Sequence, residues 1–206
     1  MSVLKKKVLP LLVVGVAMAG LMVGLSSAAS ASTDTMTAEA TSIATAAGKN
    51  PDQKAADCRA SKTLTLRQKV ACVATSQLGV KEDGTRTRKP TNCQKYFKDF
   101  GSTLNCNDDV NGQWCAAFTR WVWTKAGVKP VPASFGVDGW RASLTGTKSP
   151  QVGDVVLKPQ HIMIVVKVEK VGKKTVVHTI DGNGGNDDVR KKSHTLGAFK
   201  YAKMGS

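Results

Sequence analysis

The chain has 206 residues, with 30 Lys and Arg against 15 Asp and Glu, a formal charge of +15. That length allows one domain of ordinary size plus a leader or tail. The charge favours anionic partners, and five cysteines fit an oxidising compartment better than the cytosol.

The first stretch reads as a targeting segment. Lys5, Lys6 and Lys7 precede an uncharged apolar run from Val8 to Leu25, and Ala29-Ser30-Ala31 supplies small residues for cleavage. The run is interrupted by Pro10, Gly15, Gly20 and Gly24, which argues for a secretory signal peptide over residues 1–31 rather than a retained anchor. Loss of the three lysines leaves a mature charge of about +12, read from the formal +15. No transmembrane segment is expected after cleavage. Nucleic acid is an unpromising partner outside the cell, whereas anionic wall polymers or lipid headgroups are suitable ones.

Residues 32–62 are rich in Ala, Thr and Ser and read as a flexible tail or linker, with a weak helix near Ala38–Ala47. The globular domain is expected over 63–206. Its first helix starts behind Thr65 and places Leu66, Val70, Val73, Ala74 and Leu78 on one face before Gly79 stops it. A loop-rich stretch follows, with a short helix predicted near Cys93–Phe100. The segment "NGQWCAAFTRWVW", 111–123, then opens a second amphipathic helix that ends at Gly127, its core face being Ala117, Phe118, Trp121 and Val122.

Beyond Pro132 the helical signal fades. A turn at Pro150–Asp154 leads into "VVLK", followed by β-rich runs at His161–Glu169, Thr175–Asp181 and Thr195–Tyr201. Short links predict antiparallel pairing. Helices followed by a meander sheet predict an α+β fold.

An odd cysteine count leaves one thiol over. Local pairs Cys58–Cys72 and Cys93–Cys106 are one possible connectivity, and that pairing leaves Cys115 alone at a helix entrance. A helix N-terminus favours thiolate over thiol, and its unpaired N–H groups suit an oxyanion. A base must come from elsewhere. Of His161, His178 and His194, only His161 stands at the end of an element beside a turn; His178 reads as cover for a sheet face, and His194 as part of a polar turn. In an antiparallel hairpin the start of the 161–169 strand lies beside the end of the 175–181 strand. Asp181 or Asn183, in "TIDGNGG", therefore falls near His161 and supplies the group that orients a catalytic imidazole.

Five stretches in order, "SQLGVKEDG", "GQWCAAFTRWVW", "PQVGDVVL", "QHIMIVVKVE" and "TIDGNGG", resemble the CHAP family of cysteine- and histidine-dependent amidohydrolases and peptidases, within the wider papain-like group. The resemblance implies a papain-like scaffold in which Cys115 is the nucleophile, His161 the base, and Asp181, with Asn183, the orienting group. It implies a secreted hydrolase that cuts an amide of peptidoglycan, either the muramoyl-L-alanine bond or one in a stem peptide or cross-bridge. Many members carry Glu where this chain has Asp181, and small residues where it has Ile162 and Met163. Gln113 and Trp114 are candidates for the oxyanion site or groove, with Asp109 a further source of a contact, while Trp114, like Trp121 and Trp123, reads first as core. The remaining readings are a non-catalytic wall-associated protein and a secreted effector amidohydrolase.

No cofactor is required. "NDDVNG" sets Asn107, Asp109 and Asn111 at alternate positions like the start of a calcium loop, but Phe118 stands where that loop needs Glu, so a polar turn is the better reading. The expected partners are bacterial peptidoglycan and anionic wall polymers, and the expected state is a monomer.

Overall fold

The computed structural model describes residues 36–81, 95–101, 113–185 and 187–205. The leader, Cys93, Cys106 and the candidate calcium residues Asn107, Asp109 and Asn111 lie outside these residues. The architecture is α+β, with six helices and an antiparallel sheet of six strands among the described residues.

Two helices occupy the stretch expected to be a flexible tail. α1 spans Ala38–Thr45, with Thr37 accepting a hydrogen bond from the Ala40 N–H. α2 spans Pro51–Ala60, with Asn50 and Gln53 forming a reciprocal capping box and Pro51 in the first turn. The composition misled because burial here uses small residues. Ala40, Ala44, Ala55 and Cys58 are the buried positions, and small side chains let both helices lie close against α3, Leu66–Ser76. The linker expected over 32–62 is thus, from Ala38 to Ala60, part of the packed fold.

α3 begins at the expected cap, Thr65, which forms a second capping box with Gln68. Val70, Val73 and Ala74 are buried as the periodicity requires; Leu78 lies past the helix end and is 40% exposed. The Cys58–Cys72 disulfide ties α2 to α3. Closing a loop of 14 residues removes denatured-state entropy worth about 3 kcal/mol. Replacing both cysteines with alanine is expected to lower the folding free energy by about 2–4 kcal/mol, read as a drop in the denaturation midpoint; an unchanged midpoint would show that α2 is held by packing alone.

α4, Lys95–Lys98, lies within the expected short helix. Next comes α5, Cys115–Ala126, ended by Gly127 at φ 97° in the left-handed region that glycine tolerates. Its expected core face is buried, and so are Cys115, Ala116, Thr119 and Trp123: the helix runs through the middle of the domain. Tyr96 of α4 stacks on Trp114 and meets Phe118 and Trp121 edge-on, so an aromatic cluster fixes the first turns of α5.

A further helix, α6 at Val137–Ser143, was not evident from the sequence; Trp140 anchors it against Trp123. The strands are β1 Gly146–Thr147, β2 Val155–Leu157, β3 Ile162–Val171, β4 Lys174–Asp181, β5 Arg190–Thr195 and β6 Lys200–Ala202. Their order is β1-β6-β2-β3-β4-β5. β2, β3 and β4 form the expected meander, β5 extends it, and β6 crosses back between β1 and β2. The run expected at Thr195–Tyr201 is divided: Thr195 closes β5, a turn follows, and Lys200 opens β6. β5, "RKKSHT", is an edge strand that alternates half-buried and exposed residues, so its polarity hid it.

One sheet face packs on the helices through Val155, Leu157, Ile162, Ile164, Val166 and Ile180. The other holds a smaller cluster of Val156, Met163, Val165, Val177 and Tyr201. The Gly153-Asp154 turn joins the layers. Asp154, 1% exposed, accepts hydrogen bonds from Arg67 of α3 and from the Gln151 and Met204 N–H groups. No helix among the described residues is long and apolar enough to cross a membrane.

Candidate active site

The site is assembled where the first turn of α5 meets the open ends of β3 and β4. Trp114 precedes the helix and offers no side-chain cap. The Phe118 N–H makes the first helical bond, to the Trp114 carbonyl at 2.8 Å. The N–H groups of Cys115, Ala116 and Ala117 therefore have no acceptor within the helix. Cys115 is a free cysteine and is 1% exposed, with its thiol set in this positive end of the helix.

His161 ends the tight turn between β2 and β3. Its carbonyl accepts from the Lys158 N–H at 2.8 Å, and Arg141 of α6 donates to the Lys158 and Pro159 carbonyls at 2.8 and 3.3 Å. The turn is thus held from both sides, and the imidazole, 19% exposed, projects from a fixed backbone. Asp181 closes β4. The pairing Ile164↔Ile180 sets the two strand ends side by side, as the hairpin argument required. His161 Nε2 lies 2.6 Å from Asp181 Oδ2. Cys115 lies close enough to the imidazole to favour its charged form, so the chain of contacts runs from Cys115 to His161 to Asp181.

Burial of the imidazole disfavours its charged form, but hydrogen bonds with Asp181 and Cys115, reinforced by their charges, win. The His161 pKa is pushed up to about 9. At neutral pH the ring is an imidazolium.

Gly182 sets the distance between the two halves of the site. A Cβ there would lie 2.3 Å from Trp114 Cζ3 and 2.7 Å from Phe118 Cβ. Only glycine lets the backbone after Asp181 rest on the first turn of α5.

The other candidates separate by burial and by contacts. Asn183, at φ 57°, turns the chain, and no hydrogen bond joins it to His161; that role falls to Asp181. Trp114 is completely buried and packed on Tyr96 and Gly182, so it supports the site from beneath and does not line a groove. Gln113 is exposed just ahead of the helix. His178 bridges Glu169 at 2.6 Å and Ser193 at 2.8 Å across three strands, in keeping with cover for a sheet face. His194 lies on β5 rather than in a turn and hydrogen-bonds Thr179 at 3.2 Å.

Lys192 is a neighbour the sequence reading missed. Its Nζ lies 2.9 Å from Asp181 Oδ2. The available signal was alternation along "RKKSHT": once β5 pairs with β4, Thr179↔Lys192 sets Lys192 diagonal to Asp181 on the same face. Among the described residues no group of three or more His, Cys, Asp or Glu side chains is arranged to hold a metal ion. Comparison with family models, curated proteins and solved structures gives no match to this chain.

Proposed function

We propose that the chain is a secreted cysteine amidase or endopeptidase, built on a papain-like scaffold, that hydrolyses an amide bond of bacterial peptidoglycan. The observation that carries this reading is the contact chain from Asp181 through His161 to an unbridged Cys115 at an uncapped helix N-terminus.

The chemistry is acyl transfer. The Cys115 thiolate attacks the amide carbonyl, and the N–H groups at the mouth of α5 receive the developing oxyanion. Gln113, exposed beside them, is a second donor. As the tetrahedral intermediate collapses, His161 gives its proton to the leaving amine and the C–N bond breaks. Water then enters, gives a proton to His161 and attacks the thioester, and the C–S bond breaks to release the acid. Asp181 holds the imidazole in place throughout. The mature charge of about +12, out of +15 for the whole chain, suits attraction to anionic wall polymers. The reading requires no cofactor.

One observation favours a non-catalytic wall-associated protein instead: Cys115 is only 1% exposed. Against it, the imidazole that contacts this sulfur is 19% exposed, so the site opens to solvent on the histidine side. Incubation of the mature chain with purified peptidoglycan, followed by mass analysis of soluble products, separates the two. New amine and carboxyl termini at one bond type support hydrolysis and name the bond; an unaltered wall contradicts it.

The His161 titration gives a pH dependence of defined sign. The folded pKa of about 9 lies above the ordinary 6.5. The stabilisation is therefore complete below pH about 6.5 and lost as pH rises through about 9, and it amounts to at most about 3 kcal/mol. Leaving-group protonation fades over the same range. Unfolding midpoints and turnover are both expected to fall between pH 7 and 10 in the wild type, with the slope in stability reduced in His161→Ala. A midpoint that rises over that range in the wild type contradicts the assignment.

A further inference from the structure

Asp181 carries more contacts than an orienting carboxylate needs. It is 0% exposed, and its Oδ1 has no hydrogen-bond partner. Both its partners converge on Oδ2: His161 Nε2 at 2.6 Å and Lys192 Nζ at 2.9 Å. Lys192 itself is 31% exposed, so it reaches inward from the edge strand to make this bond while part of it stays in water.

A buried carboxylate is strongly disfavoured without an opposite charge. In the resting site His161 provides one. During acylation it does not, because the imidazolium delivers its proton to the leaving amine and becomes neutral. At that moment Asp181 would be a buried anion facing a neutral ring. That would hold the proton on His161 and slow the step that needs it.

We infer that Lys192 is a positioning residue that keeps Asp181 ionised and paired while His161 is neutral, so that the imidazole can release its proton in acylation and recover one from water in deacylation. No proton passes through Lys192, which stays an ammonium in both half-reactions. The inference rests on the proposed acyl transfer for its purpose, but its electrostatic content belongs to the folded protein alone.

The titratable groups around the His161–Asp181 pair are Cys115 from α5 and Lys192, Arg190 and His194 from β5. Arg190 bonds Asp188, and His194 bonds Thr179. Arg190 stands opposite Asp181 in register and acts on it by charge, whereas Lys192 hydrogen-bonds its Oδ2 directly. Its neighbour Lys191 is exposed, pairs in register with Ile180, and serves as a control of equal charge.

The test is an NMR titration of the His161 ring in the mature protein, compared among wild type, Lys192→Met, Lys192→Gln, Lys192→Arg and Lys191→Met. Removing the cation favours the imidazolium. The His161 midpoint is expected to rise by about one pH unit in Lys192→Met and Lys192→Gln, and to stay near wild type in Lys192→Arg and Lys191→Met. Lys192→Gln keeps a donor to Asp181, so it carries the test if the methionine variant does not fold. On wall substrate the neutral variants are expected to lose about tenfold in kcat with little change in KM, Lys192→Arg restoring most of it. An unchanged His161 midpoint in a folded neutral variant, or an equal rise in Lys191→Met, overturns the inference. Because the titration needs no substrate, a chain that fails to cut peptidoglycan yet shows the shift refutes the proposed function and leaves the role of Lys192 standing.

Discussion

Replacing Cys115 with alanine removes hydrolysis of purified peptidoglycan, with a loss on the order of 10⁴-fold or more, and leaves the protein folded. The size follows from the contacts. The sulfur is the attacking atom and the neighbour of His161, so the change takes away both the bond to carbon and the group facing the imidazole. No general base can substitute, because there is no acyl-enzyme to form. The fold is expected to tolerate the change, since α5 is fixed by Phe118, Trp121 and Trp123 rather than by the thiol. The check is product formation together with an unfolding curve. Residual hydrolysis within tenfold of wild type contradicts a nucleophilic Cys115, whatever happens to stability.

The second large effect is expected at a residue without chemistry of its own. Gly182→Ala places a methyl group into the Trp114 ring and against Phe118. Neither neighbour has room to yield: both are completely buried, and Trp114 is backed by Tyr96. Overpacking of this kind costs about 1–3 kcal/mol and is relieved by movement of the backbone. Here the backbone that moves carries Asp181. A displacement of about 1 Å between Asp181 and His161 is expected to lower turnover about 100-fold, well beyond the effect of the lost stability. Unfolding midpoints and turnover measured below the unfolding range separate the two consequences. Wild-type activity in a merely destabilised Gly182→Ala protein would show that β4 does not need its close seat on α5.

Much of this arrangement could be read from residue order. The capped amphipathic pattern after Thr65 and the apolar period after Cys115 give α3 and α5 close to their observed bounds, because each helix has a wide buried face and a chemical stop. The proximity of His161 and Asp181 follows from antiparallel pairing alone, since opposite ends of adjacent strands must meet. Other parts were hidden for identifiable reasons. α1 falls within the weak helix expected near Ala38–Ala47, but α2 buries only Ala55 and Cys58, small residues whose hydropathy resembles that of a linker. α6 is short and contains glycine, and its anchor, Trp140, lies within a stretch lacking helical period. β5 has no apolar residue, because an edge strand next to a charged site is held by its ladder and by Lys192 rather than by a hydrophobic face.

The site itself was legible in its three central residues and illegible in what governs them. Cys115, His161 and Asp181 stand at element ends, where sequence pattern marks a change of structure. Lys192 was obscured because it acts across a strand pair whose register cannot be assigned without the fold. Trp114 was left between two readings for a related reason. A tryptophan next to a candidate nucleophile suits either a groove or a foundation, and only the fit of Gly182 against its ring decides for the foundation. Asn183 shares the turn with Asp181, but its positive φ gives it a backbone duty at the strand end.

The central claim is that the Cys115 sulfur is an activated nucleophile coupled to His161. Brief exposure of the folded mature chain to iodoacetamide at pH 7, followed by peptide mass analysis, tests it most directly. A carbamidomethyl group is expected on Cys115 in the wild type, with labelling at least about tenfold slower in His161→Ala. No adduct on Cys115, or equal labelling rates in the two proteins, would contradict it.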